Sequence, residues 1–264
     1  MISTAQNPKI KYVRALQNRR RREREGVFVL EGLRLVEEAV AAGVRPRLVL
    51  YNEDGLSRTK RGRQVLASVR RLADEAHAAT EQALRAASET ENPQGLIVVA
   101  PVPVPPAANP NLADAFWLIV DGLQDPGNLG TLLRSAWAAG VSDVWLAPGT
   151  VDVYSGKVVR SAMGAHFHLA IRPVDDWDEI STPVRGLRTV VAADARAERS
   201  IYEVDWRGSL ALIVSNEAWG LSENARRVAT ITASIPMRGP VESLNVAVAG
   251  SIILFEAMHQ RTFA

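Results

Sequence analysis

The sequence predicts an α/β protein: a small α/β domain followed by a larger domain with a mostly parallel sheet and helices on both faces. Three observations carry this. In the second part, short apolar runs alternate with segments of helical spacing, the pattern of a parallel sheet crossed over by helices. A proline-rich stretch, PVPVPPAANPN at 101–111, holds five prolines in eleven residues and fixes an extended path between the parts. The charge is also divided: residues 1–105 carry 18 Lys and Arg against 12 Asp and Glu, net +6, whereas the rest is net −4. The expected domains are 1–105 and 112–264.

In the first domain, KIKYVRALQN and the run RRRRER at 19–24 are compatible with helix. The apolar run VFVL leads into a helix-spaced segment ending at Gly43, LVLY at 48–51 reads as a strand, residues 64–87 as one helix, and GLIVVA at 95–100 as a buried strand. His77 reads as a surface residue. The cationic run is either a solvated face or a contact for a polyanion, since basic charge concentrated in one domain suits nucleic acid.

In the second domain, strands are expected at 117–120, 143–147, 168–171, 188–193, 210–214 and 231–235, with helices at 128–140, 155–163, 198–203, 221–228 and 243–260. Ligands of such sheets bind beyond the carboxyl ends of the strands. Three strand-end loops stand out there. The first is DGLQDPGNLGTLLR, where Asn128 is the expected N-cap of a helix whose start favours an anion, with Arg134 two turns in. The second is SNEAWGLSENA at 215–225, with Ser222 as a plausible N-cap. The third runs from IPMRGPVESLN into a long apolar helix, where Ser243 and Asn245 need hydrogen-bond partners if buried.

Several chemistries are excluded or lose support. With no cysteine there is no disulfide, thiolate metal site or Cys nucleophile, and a reducing cytoplasm is permitted. GxGxxG after a strand, GxxxxGK[ST] and GxSxG are all missing. His166 and His168 alternate along GAHFHLA as if on one face of a strand; without a third ligand they read as structural or surface residues, and no metal is expected. No apolar run is long enough to span a bilayer, so a membrane role is not expected.

Taken together and in this order, DPGNLGTLLRSA, SGKVVRSAMGAHF, LIVSNEAWGLS and IPMRGPVESLNVAVAGSIILFE resemble the SpoU (TrmH-like) family of RNA ribose 2′-O-methyltransferases, within the SPOUT superfamily. NPKIKYVRAL and FVLEGLRLVEEAV resemble the ribosomal-protein-like substrate-binding domain that often precedes it. The resemblance implies a deep trefoil knot, an exception to unknotted topology, a homodimer, and S-adenosylmethionine held largely by backbone groups near Ala193, Ser215, Asn216, Glu217, Gly220, Ile235, Met237 and Leu244. It implies catalytic roles for Arg134, acting across the dimer, and for Asn128, Glu217, Ser243 and Asn245. RNA contact falls to Lys9, Lys11, Arg19, Arg20, Arg21, Arg22 and Arg34. One departure is Ser215, where the family commonly has Gly. A basic first domain suits 23S ribosomal RNA better than transfer RNA, in the cytoplasm. The rival readings are a non-catalytic RNA-binding protein with a degenerate second domain, and a SPOUT enzyme acting on a base.

Overall fold

The computed structural model describes residues 1–90, 93–106, 112–216 and 219–263. The chain divides into two compact units, Met1–Pro103 with Asp152–Phe167, and Val104–Val151 with His168–Ala264.

The first unit opens with α1 (Pro8–Ala15), capped by Asn7 on the Lys9 N–H at 2.9 Å, and α2 (Arg19–Glu25), capped by Asn18 and closed by Gly26 at φ 62°. There follow β1 (Val27–Glu31), α3 (Leu33–Ala41), β2 (Leu48–Tyr51), α4 (Glu53–Ser57), α5 (Lys60–Leu72), β3 (Glu75–Ala78), α6 (Glu81–Ala87) and β4 (Leu96–Pro101). The sheet runs β1-β4-β2-β3: β4 is antiparallel to both neighbours, and β3 is parallel to β2. The single helix expected over 64–87 is instead α5, β3 and α6. Val65, Leu66 and Val69 do form a buried helical face, but Ala73 turns extended and Glu75–Ala78 takes the open edge of β2, Val49 opposite Ala76. Alanine favours helix, so edge pairing here overrides a local propensity of a few tenths of a kcal/mol per residue. His77 lies on this edge strand beside Glu75 at 3.0 Å.

In the second unit, β5 (Phe116–Asp121) is followed by α7 (Pro126–Ala138) and β6 (Asp143–Leu146). Next in the chain is α8 (Gly156–Ala162), then β7 (Ala170–Pro173), α9 (Asp178–Val184), β8 (Thr189–Ala193), β9 (Leu210–Ser215), α10 (Glu223–Val228), β10 (Ile231–Ala233) and α11 (Val246–Phe263). The sheet β10-β8-β9-β5-β6-β7 is parallel throughout, so all six carboxyl ends lie at one edge. β5 is buried along its whole length and β9 up to Ser215, which explains their unbroken apolar runs. Over 198–203 only the short 3₁₀ turn Ile201–Glu203 forms, and α9 occupies a stretch where no helix was expected.

The segment bearing α8 packs with the first unit, although it was expected within the second domain. Its Val159 enters the apolar cluster around Phe28, with Tyr154 and Phe167 packed against that cluster. Asp152 pairs with Arg22, and the Tyr154 ring lies 5.2 Å from that of Phe28. The two histidines do not share a strand face. Ala165–Phe167 is a 3₁₀ turn that buries His166 with Nε2 2.8 Å from the Val153 carbonyl, whereas the exposed His168 stacks on Trp137 at 4.1 Å. Burial lowers the His166 pKa to about 4, so it is neutral at physiological pH.

Candidate active site

The first motif forms strand, loop and helix, but its helix starts earlier than expected. Asp125 is the N-cap, its Oδ1 accepting the Asn128 N–H at 2.7 Å, and Pro126 occupies the first turn, where its missing N–H costs nothing. The positive end of α7 is therefore served by a carboxylate of the chain itself. Asn128, three residues inside, has its side chain free for another role: Oδ1 accepts Asn245 Nδ2–H at 2.9 Å. Asn245 in turn accepts from the N–H groups of Ala247 at 3.0 Å and Val248 at 3.3 Å, capping α11. One amide thus caps the C-terminal helix and ties it to the start of α7. Further along, Ser251 Oγ donates to Ser135 Oγ at 2.7 Å, and a Cβ on Gly250 would lie 2.6 Å from Leu132 Cδ1, so a glycine is what lets the helices approach.

The second loop is joined to the first by Asp121, the last residue of β5, whose significance the sequence did not disclose. It is 5 % exposed, and its Oδ2 accepts the Ser222 N–H at 2.7 Å. Its carbonyl accepts the Asn216 N–H at 3.3 Å, and the next carbonyl, Gly122, accepts from Asn216 Nδ2 at 3.4 Å. Burial pushes the Asp121 pKa up, and the bonds from Ser222 oppose that shift. Within the loop the Gly220 N–H reaches the Asn216 carbonyl at 2.9 Å with φ 65°, a left-handed position that suits glycine. Ser222 caps α10 as expected, accepting the Ala225 N–H at 3.1 Å.

Register places two of the other expected cofactor residues, Ala193 and Ser215, at the same edge. Ala193 ends β8 opposite Ala233, and Ser215 ends β9 opposite Asp121. Ile235 and Met237 follow β10 and Leu244 precedes α11; all three are half-buried apolar side chains on the connecting loop. Ser243 is exposed on that loop, and Glu217 lies outside the described residues. Arg134 is exposed on α7. Six residues separate it from Asn128, placing the two about 120° apart around the helix.

The expected RNA contacts divide. Lys11, Arg20 and Arg34 are exposed. Lys9 pairs with Glu75, Arg19 with Glu23 at 2.7 Å and Arg21 with Glu25 at 2.9 Å. Arg22 is not a surface residue: it is 5 % exposed and donates to the Leu16 carbonyl at 2.6 Å, the Gln17 carbonyl at 2.8 Å and Asp152. Gly26 ends α2 directly before β1.

Among the described residues there is no group of three potential metal ligands and no helix long and apolar enough to cross a membrane. Residues 115–255 match the model of the SpoU rRNA Methylase family, and residues 7–98 match that of the MRM3-like substrate binding domain. The chain is 33 % identical over 259 residues to the 23S rRNA (guanosine(2553)-2′-O)-methyltransferase RlmP of Bacillus subtilis, covering 96 % of this chain and 97 % of that one. It is 32 % identical over 267 residues to the 23S rRNA (uridine(2479)-2′-O)-methyltransferase of Streptomyces viridochromogenes, covering 98 % and 92 %. Among solved structures it is similar to the SpoU methyltransferase AviRb from Streptomyces viridochromogenes in complex with AdoMet, at a TM-score of 0.88 and 31 % identity over 98 % of this chain and 100 % of that one. The chain belongs to the SpoU rRNA methylase family.

Proposed function

We propose that this protein transfers a methyl group from S-adenosylmethionine to a ribose 2′-hydroxyl of 23S ribosomal RNA. The observation that carries the reading is the meeting of three loops at one sheet edge: Asp121 binds both ends of the 216–222 loop, and Asn245 binds Asn128. Relatives similar along nearly the whole chain carry this activity in their names.

The strand ends suit the cofactor. Backbone groups at Ala193, Ser215, Asn216 and Gly220 would hold its polar parts, and the half-buried Ile235, Met237 and Leu244 supply apolar surface for its adenine. S-adenosylmethionine supplies a methyl group already activated on a sulfonium. What remains for the chain is to orient the hydroxyl and favour its loss of a proton. Arg134 is effectively always protonated and so does not act as a free base; it binds the adjacent phosphate and stabilises charge developing on the 2′-oxygen. Asn128 and Asn245 hold the substrate and cofactor loops in register, with Ser243 exposed on the third loop.

Three features of the reading rest on the family: a knot formed by the C-terminal segment, a homodimer in which Arg134 serves the partner's site, and work in the cytoplasm. Val248 and Phe255, apolar side chains 48 % and 44 % exposed on α11, support the dimer. The test is labelled-methyl transfer to total RNA followed by mapping. A methylated nucleotide in 23S rRNA that resists alkaline cleavage on its 3′ side is expected. Label in transfer RNA, label on a base, or no transfer overturns the reading.

A further inference from the structure

The most conspicuous cationic run, α2, is largely spent on the chain itself. Arg19 and Arg21 pair with Glu23 and Glu25, Arg24 lies 3.7 Å from Glu25, and Arg22 is buried. In the same unit, α5 has the opposite character: KRGRQVLASVRRL contains no acid at all. Its apolar face, Val65, Leu66 and Val69, is buried. At about 100° per residue, Lys60, Arg63, Arg70 and Arg71 fall within about 120° on the other side, around the exposed Gln64 and Ala67. Arg70 lies 5.1 Å over the Tyr51 ring and 3.8 Å from Glu53, and Arg63 donates to the Ser57 carbonyl. Among the described residues, no carboxylate pairs with Lys60, Arg63 or Arg71.

Lys60 stands in the first turn of the helix, where the macrodipole disfavours a cation, whereas Arg70 and Arg71 stand in the last turn, where it favours them. Four like charges on one face, with a carboxylate near Arg70 alone among them, repel one another and attract an anion from outside. The four charges extend over about 16 Å of helix, too long for one small anion and suited to successive phosphates. We infer that the exposed face of α5 is a docking surface for the RNA sugar-phosphate backbone, with Lys60, Arg63 and Arg71 each taking a phosphate; this rests on the proposed RNA substrate.

The test compares two triple variants of the full chain, each losing three positive charges, by filter binding to transcribed 23S rRNA over a series of salt concentrations. Lys60→Gln/Arg63→Gln/Arg71→Gln is expected to weaken binding about 100-fold and to reduce the log–log salt slope by about 2 to 3. Arg24→Gln/Arg45→Gln/Arg85→Gln, whose exposed guanidiniums pair with Glu25, Asp74 and Glu81, is expected to change affinity less than about threefold. Far-UV circular dichroism and melting curves, expected to match the wild type in both, show that the variants are folded. Wild-type binding and slope in the α5 variant, or equal weakening in the control variant, overturns the surface. If the wild-type chain methylates 23S rRNA while the α5 variant binds it normally, only this inference fails; if the wild-type chain does not bind that RNA, the proposed function fails with it.

Discussion

Arg22 and Arg134 carry the same charge in regions that differ in charge density and in use. Arg22 belongs to a dense run on α2, yet it is buried and bonded to two carbonyls and to Asp152. Arg134 is the only basic residue of α7, and it is exposed two turns into the helix that follows β5. A guanidinium in the first setting closes the fold, because its desolvation is offset only by fixed partners. In the second it is available to a ligand. Local charge density is thus a poorer guide to function than burial and bonding partners.

The sharpest way to break this contrast is Arg134→Ala, expected to lower methyl transfer by about 10² to 10³ while S-adenosylmethionine affinity, read by calorimetry, stays near that of the wild type. An active variant would refute the catalytic assignment. Arg22→Met should do the reverse. It leaves Asp152 without its partner and is expected to destabilise the fold by about 3 kcal/mol, seen as a lower denaturation midpoint, with a modest change in RNA affinity; an unchanged midpoint would place Arg22 among the surface cations after all.

Asn245→Ala removes a helix cap and the bond to Asn128, at a cost of about 1–2 kcal/mol. Because that residue joins two motifs, the loss should also raise the KM for RNA, a change that simple destabilisation does not produce. The smallest effect is expected for Asp121→Asn. The amide oxygen still accepts the Ser222 N–H, and the buried charge is gone. Since burial raises the Asp121 pKa in the folded state, the ionised carboxylate costs stability above the ordinary Asp value of about 3.9. That cost disappears as pH falls toward this value. Melting curves should show the variant equal to or above the wild type at neutral pH, with the advantage lost in acid; Asp121→Ala, which leaves the Ser222 N–H without its acceptor, should melt lower.

The family motifs and the alternation of strand and helix in the second half were legible because long apolar runs and loop chemistry are local properties. The candidate site was legible only in part. Asn128 reads as a cap because Asn often is one, but Asp125 stands three residues earlier and takes that bond, which frees Asn128 to meet a residue 117 positions away. Asp121 looks like an ordinary turn aspartate until the register sets it beside Ser215. Each misreading arises where two local signals compete and a distant partner decides between them.

By itself, the sequence determined the α/β class, the proline-rich joint, the three loops and the absence of thiol chemistry, since these depend on composition and short-range pattern. Only the tertiary structure decided that 64–87 breaks for an edge strand, that Arg22 turns inward, and that Asp152–Phe167 packs with the first unit. The reason is that burial and pairing partners are set by contacts distant in sequence, and these override propensities worth a few tenths of a kcal/mol per residue.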